Sequence, residues 1–200
     1  MLTAVLTGDL INSRTSPPEE WMTVLKTVLN IFGKTPKDWE LYRGDSFQLE
    51  TTPKKALFAS LMIKARLKHQ SNLDVRIAIG IGNKSYETDK ITESNGTAFI
   101  NSGQCFERLK KNTLAISTNL DDIDQTLNLL FQLAAITINN WTPAAAELIE
   151  LALKHPDYNQ KQMAEVLKTT QSNVSQGLNR GGYDELSKLM AYYESKISKL

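Results

Sequence analysis

The sequence predicts an α+β fold, a sheet covered by helices, followed by an all-helical C-terminal part. In the first 118 residues, strand-like and helix-like segments alternate along the chain, which is typical of helices packed on a sheet. After about residue 118 no further strand pattern occurs, and apolar residues recur at helical spacing. We therefore expect an α/β domain at residues 1–118 and a helical domain at residues 119–200.

The first predicted element is a central strand at residues 2–8, LTAVLTG. Its β-branched and apolar residues do not alternate with polar ones, which suits a strand buried on both faces, and the TGD sequence is expected to end it. Residues 16–33 supply a serine cap, early prolines, an apolar stripe and a closing glycine, which predict a helix. Alternating residues on both sides of Gly44-Asp45 predict a β-hairpin.

The following segments complete the predicted sheet and its helices. Residues 53–70 predict an amphipathic helix, and LDVRIAIGIG at 73–82 predicts a buried strand that ends in glycines. Residues 83–95 are polar and loop-like. Residues 96–111 have apolar side chains at helical spacing, and TLAIST at 113–118 predicts a short strand.

Two long helical patterns, NLDDIDQTLNLLFQLAAITINN and TPAAAELIELALKH, open the C-terminal part. Two shorter helices are predicted at residues 159–168 and 172–180, joined by a turn at Thr169-Thr170. The residues expected between these two helices are Met163, Ala164, Leu167, Val174 and Leu178. The final stretch, ELSKLMAYYESKISKL, predicts a helix whose apolar stripe serves either a packing contact or a dimer contact.

The composition excludes several kinds of site and of binding surface. The 23 basic residues balance the 22 acidic ones, so no global basic field indicates nucleic acid, although a local basic surface is compatible with this balance. A single cysteine excludes an internal disulfide and a cysteine-based zinc site, and two histidines are too few for a histidine-rich metal site. Since neither a signal peptide nor a membrane-spanning stretch is apparent, we expect a cytoplasmic protein.

Two aspartates are the first candidates for chemistry. Asp9 follows the first predicted strand, and Asp45 lies in the predicted hairpin turn. If these strands are neighbours, both carboxylates emerge at the same edge of the sheet, where they suit Mg²⁺ or Mn²⁺. The alternative is that Asp45 is only a small polar turn residue. Glycines at positions 8 and 44 would let a ligand approach the backbone closely, and the N–H groups of LINS could bind a phosphate. The candidate ligand-binding residues are therefore Gly8, Asn12, Ser13, Arg43 and Gly44.

Four segments carry a resemblance to known families. VLTGDLINS, LYRGDSFQL, VRIAIGIG and NGTAFINSGQCFERL occur in the order found in class III nucleotidyl cyclase domains and their palm-like relatives. Joined to the C-terminal helices, this order resembles the SatD family of small bacterial proteins. The resemblance implies a ferredoxin-like, cyclase-like sandwich at residues 1–118, and it matches Asp9 and Asp45 to the metal-binding aspartates.

The same resemblance is incomplete at three other positions. Leu41 stands where a cyclase has a base-reading lysine, Gln104 stands where a transition-state asparagine is needed, and Asn101 is one residue out of register. We therefore expect little or no cyclic nucleotide product. Three possibilities stay open for this part: a nucleotide- or metal-binding domain, an active Mg²⁺-dependent nucleotidyl-transfer enzyme, or a non-catalytic dimeric scaffold.

Residues 158–182 resemble the bacterial helix-turn-helix, in which Q-x-x-x-A is followed by T-Q-S-x-V-S. The outward side chains of its second helix are mostly uncharged hydrogen-bonding groups, which suit base edges in the major groove. The predicted DNA-binding residues are Gln171, Ser172, Asn173, Ser175, Gln176, Asn179 and Arg180. The alternative is a helical hairpin that only packs or docks a protein. The favoured function is a homodimeric, DNA-binding transcription regulator whose N-terminal domain binds a nucleotide-type ligand or a metal.

Overall fold

A curled, largely antiparallel sheet forms the centre of the molecule in the computed structural model, which describes residues 2–200. The strands are β1 (Leu2–Ile11), β2 (Trp39–Tyr42), β3 (Ser46–Thr51), β4 (Asp74–Tyr86), β5 (Asn95–Gly96) and β6 (Leu114–Ser117). They are ordered β2-β3-β1-β4-β5, and β6 pairs with β4 in parallel. The mixed α/β fold predicted from the sequence is confirmed.

Helices cover the sheet and then continue as a C-terminal layer. They are α1 (Pro18–Leu29), α2 (Ala56–Ser71), α3 (Thr97–Glu107), α4 (Asp121–Ile138), α5 (Pro143–Lys154), α6 (Gln160–Val166), α7 (Gln171–Gly181) and α8 (Tyr183–Ile197). Each helix predicted from the sequence is present, with bounds that differ by a few residues.

Strand β1 is longer than predicted and includes Asp9. It pairs with β3 on one side through Asp9 and with β4 on the other side through Ile11. The prediction that the TGD sequence ends this strand is therefore wrong. The glycine is explained by close packing across the sheet, because a Cβ on Gly8 would lie 2.5 Å from the ring of Phe47.

Helix α2 is buried on most of its surface, so the predicted amphipathic helix is wrong. Its buried side chains occur all around the helix, from Ala56 to Leu67. The reason is its position, since α2 packs against the sheet and α1 as well as against α5 and α8. The buried side chains include that of Lys64, which pairs with Asp74.

Strand β4 also exceeds its prediction, because it continues to Tyr86 and takes in part of the expected loop. Its glycines bring α3 close to the sheet. A Cβ on Gly80 would lie 2.2 Å from the backbone nitrogen of Ser102, so only glycine permits this contact. Ser102 in turn lies 2.6 Å from the hydroxyl of Thr7 on β1.

One hydrophobic core joins the sheet to the C-terminal helices across residue 118. Phe131 on α4, Ile149 on α5 and Tyr193 on α8 belong to the same buried cluster as the residues of β1 and α2. Tyr193 donates a hydrogen bond to the carbonyl of Pro53, 2.7 Å away. The apolar stripe of α8 is therefore a packing contact within the chain.

Within residues 2–200, the structure contains no helix with the length and apolar character that crossing a membrane requires.

Candidate functional sites

The first candidate site lies at one end of the sheet, and we call it the aspartate corner: Asp9, Ser13, Asp45 and Arg76. Asp9 on β1 is in register with Ser46 on β3 and with Arg76 on β4. Since Asp45 directly precedes Ser46, antiparallel pairing brings both aspartates to the same end of the sheet. The prediction that Asp9 and Asp45 emerge at the same edge of the sheet is confirmed.

Asp9 is held by an arginine that the sequence analysis did not single out. Arg76 donates from Nε to Oδ1 of Asp9 at 2.9 Å and from Nη2 to Oδ2 at 2.7 Å. The guanidinium also lies 5.3 Å from the ring centre of Phe106. The hydrogen bonds from Arg76 to Asp9 raise the pKa of Arg76, and the nearby charge of Asp45 adds to this effect. A bidentate pair of this kind fixes both side chains.

Asp45 is held by residues at the end of β1 and just after it. Ser13, which is buried, donates a hydrogen bond to Oδ2 of Asp45, and the backbone N–H of Leu10 donates to the carbonyl of Asp45 at 3.2 Å. Gly44 has a φ of 92°, and Arg43 before it has a φ of 52°. The left-handed backbone explains the glycine, because L side chains rarely adopt it.

The candidate ligand-binding residues divide into exposed and buried groups. Asn12, Arg43 and Gly44 are exposed around the corner, whereas Gly8 and Ser13 are buried. Asn12 has a φ of 61°, and its carbonyl accepts from the backbone N–H of Thr15. Their role in binding a nucleotide-type ligand stays a prediction.

Arg76 already occupies part of the donor set that Mg²⁺ or Mn²⁺ would use at the aspartate corner. Both carboxylate oxygens of Asp9 already accept hydrogen bonds from Arg76, and the guanidinium supplies the positive charge that a cation would bring. Throughout residues 2–200, no group of three or more His, Cys, Asp or Glu side chains could hold a metal ion. Mg²⁺ usually keeps several waters and binds through one or two carboxylates, so a metal at Asp9 would compete with Arg76 for the same oxygens. Metal binding stays a prediction.

The late helix of the cyclase-like resemblance is α3, and its Asn101 serves packing. Asn101 is buried and donates to the carbonyl of Ile81 at 2.8 Å, so its side chain links α3 to β4. Gln104, in contrast, is exposed. Burial raises the pKa of Cys105 to about 11, so its thiol is protonated at neutral pH and is a poor nucleophile.

The second candidate site is formed by α6, α7 and the turn between them. Asn159 caps α6 in a reciprocal capping box with Gln162, and Thr170 caps α7 by accepting from the backbone N–H of Asn173. Lys168 lies in the turn with a φ of 50°. Lys168 therefore has the left-handed backbone conformation that glycine adopts most readily.

The apolar side of α7 is anchored in a small core that α5 completes. The cluster consists of Leu148, Ala152, Met163, Ala164 and Val174, with Leu167 and Leu178 packed against it. All five residues predicted to lie between the two helices are therefore found there. Because Val174 is fully buried, the rotation of α7 about its axis is fixed.

The opposite side of α7 is exposed, and we call it the α7 polar face. It consists of Gln171, Ser172, Asn173, Ser175, Gln176, Asn179 and Arg180, each of them exposed. Along it, Arg180 donates to Gln176 at 3.2 Å, and Gln176 donates to Ser172 at 3.5 Å. These contacts between neighbouring turns align the side chains without tying them to another element.

Comparison with protein families assigns the chain to one family. The sequence profile of the SatD family matches residues 3–186. The chain belongs to the SatD family. The match runs from β1 into α8, so the SatD unit includes the sheet, the aspartate corner and the α7 polar face. No curated protein matches the chain.

Proposed function

We propose that this SatD protein binds double-stranded DNA through a helix-turn-helix formed by α6 and α7. The observation that carries the proposal is the α7 polar face, in which each of seven neighbouring exposed positions has a hydrogen-bonding side chain. A rigid helix with its apolar side buried and its polar side free is what major-groove reading requires. Asparagine and glutamine match adenine edges, and arginine matches guanine edges.

The electrostatics around α7 favour a contact with few phosphates. The basic side chains in or beside the two helices are Lys161, Lys168 and Arg180, and each is exposed. Three phosphate contacts give a salt slope of about −3 for one helix-turn-helix unit. We therefore infer that sequence reading contributes more to this complex than charge does.

The packing or protein-docking alternative explains the buried side of α7 equally well, but not the composition of the exposed side. A protein-docking helix usually presents apolar or aromatic anchors. The apolar side chains of residues 171–180 are Val174 and Leu178, and both face the core rather than the exposed side.

Selection from a random duplex pool tests DNA binding directly. We expect the full chain to enrich a defined sequence. Discrimination should fall at least about 30-fold in the double variant Asn173→Ala, Gln176→Ala, because each of the two lost base contacts costs about 1–3 kcal/mol. Binding to random duplex should change little, since phosphate contacts supply it.

Gln104→Ala provides the matched control, because Gln104 is an exposed glutamine on α3. It should leave the enriched sequence and the affinity unchanged. No enrichment with the unaltered chain at low salt, where non-specific binding is strongest, would exclude DNA reading.

We further propose that the aspartate corner is where a nucleotide-type ligand acts on this protein. The exposed turn residues Asn12, Arg43 and Gly44 border the Asp9–Arg76 pair. Titration with nucleoside triphosphates, each with and without Mn²⁺, tests this part. Heat that disappears in Arg43→Ala supports it, and equal heat from both proteins contradicts it.

Arg76 also makes the metal question testable. If the guanidinium takes the place of a cation, Mn²⁺ alone binds weakly to the unaltered chain and at least about tenfold more tightly to Arg76→Ala, since two carboxylates are then left without a counter-charge. Equally weak binding to both proteins would remove Asp9 and Asp45 as a latent metal site.

A further inference from the structure

Helix α4 has two apolar sides, and one of them is uncovered. Leu127, Phe131 and Ile138 face the core and are fully buried. On the other side, Leu129 is 59% exposed, Leu133 56% and Ile136 68%. We call these three residues the α4 face. Their spacing of four and three residues places them in one row along the helix, so they form one continuous patch rather than scattered surface residues.

The α4 face continues into a groove. A cavity of about 500 Å³ lies beside it, between α4, the end of α7 and α8. Its lining is apolar at Leu130, Ala134 and Leu189, and it is polar or charged where Asn179, Arg180 and Glu185 border it. A partner that covers the α4 face therefore finds further apolar surface on one side, as an interface of ordinary size requires.

Charged residues of opposite sign flank the two ends of α4, and the positive ones come from the segment before β6. Asp121 and Asp122 are exposed in its first turn. At its other end, Thr113 donates to Oδ1 of Asn139 at 2.6 Å, which ties the start of β6 to the end of α4. The exposed lysines Lys110 and Lys111 precede that strand and so lie near the last turn of the helix.

From these features we infer that the α4 face is the interface of a homodimer in which the α4 helices of two copies pack antiparallel across a two-fold axis. In that arrangement the apolar rows meet at the centre. Each acidic helix start then faces the lysine pair of the other copy, so the complementary contact is made twice. A self-complementary patch of this kind is what two-fold symmetry demands.

The charge of α4 argues against a lipid surface as the occupant. Residues 121–138 contain three aspartates and neither lysine nor arginine. Helices that lie on anionic membranes carry basic residues along their polar side. A second copy, in contrast, supplies the lysines that the aspartates need.

The inference does not depend on DNA binding, because the dimer can be measured without DNA. It does bear on the proposed function. Gly182, which ends α7, packs close to Thr137 on α4, so a dimer through α4 holds two copies of α7 in a fixed relation. Failure of DNA selection with an intact dimer would therefore contradict the proposed function alone.

Sedimentation equilibrium of the full chain tests the dimer, at concentrations from about 1 to 100 μM, the range over which dimers of moderate affinity dissociate. We expect the mass of the unaltered chain to rise with concentration toward twice the monomer mass, and Leu133→Glu to keep the monomer mass throughout. Ile100→Glu is the matched control, because Ile100 is an isoleucine on α3 that is 50% exposed. It should leave the dimer intact.

Leu129→Gln provides a second, milder variant in case Leu133→Glu fails to fold, and its dimer dissociation constant should rise at least about tenfold, a loss of about 1.4 kcal/mol. A monomeric unaltered chain, or a dimer that persists in folded Leu133→Glu and Leu129→Gln, would overturn the inference.

A charge exchange tests the antiparallel arrangement. Replacing Asp121 and Asp122 by lysine should weaken the dimer at least about tenfold, since two pairs of like charges then meet. Adding Lys110→Asp and Lys111→Asp to the same chain should restore most of the affinity, because opposite charges then face each other again across the interface. Thermal melting of each variant reports any separate cost of lysines at the helix start. Absence of restoration would exclude the antiparallel pairing.

Discussion

The aspartate corner and the α7 polar face both present several polar side chains, but they differ in where those side chains find partners. At the corner, Asp9 and Arg76 bind each other, and Asp45 accepts from Ser13. On α7, the side-chain hydrogen bonds run along the helix and, from Asn173, to Thr169 in the turn before it, and the side chains stay exposed. The paired groups of the corner contribute to the fold and leave the exposed turn residues Asn12, Arg43 and Gly44 for the proposed ligand. The polar groups of α7 are themselves available to a partner, because they lie on a rigid, solvent-facing helix.

The two regions are joined by a buried charge network on α2 and α5. Glu150 on α5 is buried and lies 2.6 Å from Arg66 on α2, and it also contacts His69 and Lys154. Because the network crosses from the helices that pack on the sheet to the helices that carry α7, its loss should affect both regions together.

The largest expected effect is therefore that of Glu150→Gln. It should lower the free energy of unfolding by roughly 3–5 kcal/mol, since it leaves the charge of Arg66 buried without its counter-ion. Urea unfolding measures this loss. Glu147→Gln is the control, because Glu147 is more exposed and contacts only His69 in an ion pair. A loss below about 1 kcal/mol for Glu150→Gln would show that the network does not join the two regions.

The same network predicts a pH dependence. Burial raises the pKa of Glu150, but hydrogen bonds from Lys154 and His69 and the charge of Arg66 outweigh it, so the pKa is lowered. A carboxyl group with a lowered pKa contributes stability above its ordinary pKa, and this contribution is lost as the pH falls through the lowered value. We expect Glu150→Gln to flatten the acid side of the stability profile. An unchanged acid slope would contradict the lowered pKa.

A smaller loss is expected at the aspartate corner. Asp9→Asn should cost about 1–3 kcal/mol, because it removes the charge from a partly buried bidentate pair. A double-mutant cycle with Arg76→Gln isolates the interaction energy. Glu93→Gln is the control, since the Lys90–Glu93 pair is exposed on both sides and exposed pairs contribute little. A coupling energy near zero would mean that the corner is not held by this pair.

The smallest effect on stability is expected on α7. Asn173→Ala with Gln176→Ala should change the free energy of unfolding by no more than about 0.5 kcal/mol, since both side chains are exposed and alanine favours helix. The measurement is again urea unfolding. A loss above about 1 kcal/mol would show that the polar face supports the fold, which would remove the contrast between the two regions.

The sequence predicted the elements of the fold better than their environment. Each predicted helix is present because the spacing of apolar side chains is a local signal, to which side-chain caps add at α5, α6 and α7. The serine cap expected for α1 is absent, since Pro17 occupies that position. The burial of α2 was missed, since nothing local to residues 56–71 shows that helices cover it on several sides. The extension of β1 through Asp9 was missed because it is produced by pairing with β3 and β4.

The candidate sites were predicted correctly where helical spacing determines which side chains are exposed. They were missed where residues far apart in the sequence come into contact. The buried and exposed sides of α7 follow from helical spacing around Val174. Arg76 was not recognised, although an arginine in the otherwise apolar segment VRIAIGIG indicates a charged partner nearby. The α4 face was not recognised either, because the sequence does not show which of its two apolar stripes the core covers.

The central claim is that the α7 polar face meets DNA while the aspartate corner does not. The most direct test is an NMR titration of the ¹⁵N-labelled protein with the selected duplex, observing backbone and side-chain amides. We predict shifts at Asn173, Gln176 and their neighbours in α7, with none at Asp9, Asp45 or Arg76. Shifts at the corner with an unchanged α7 would contradict the account.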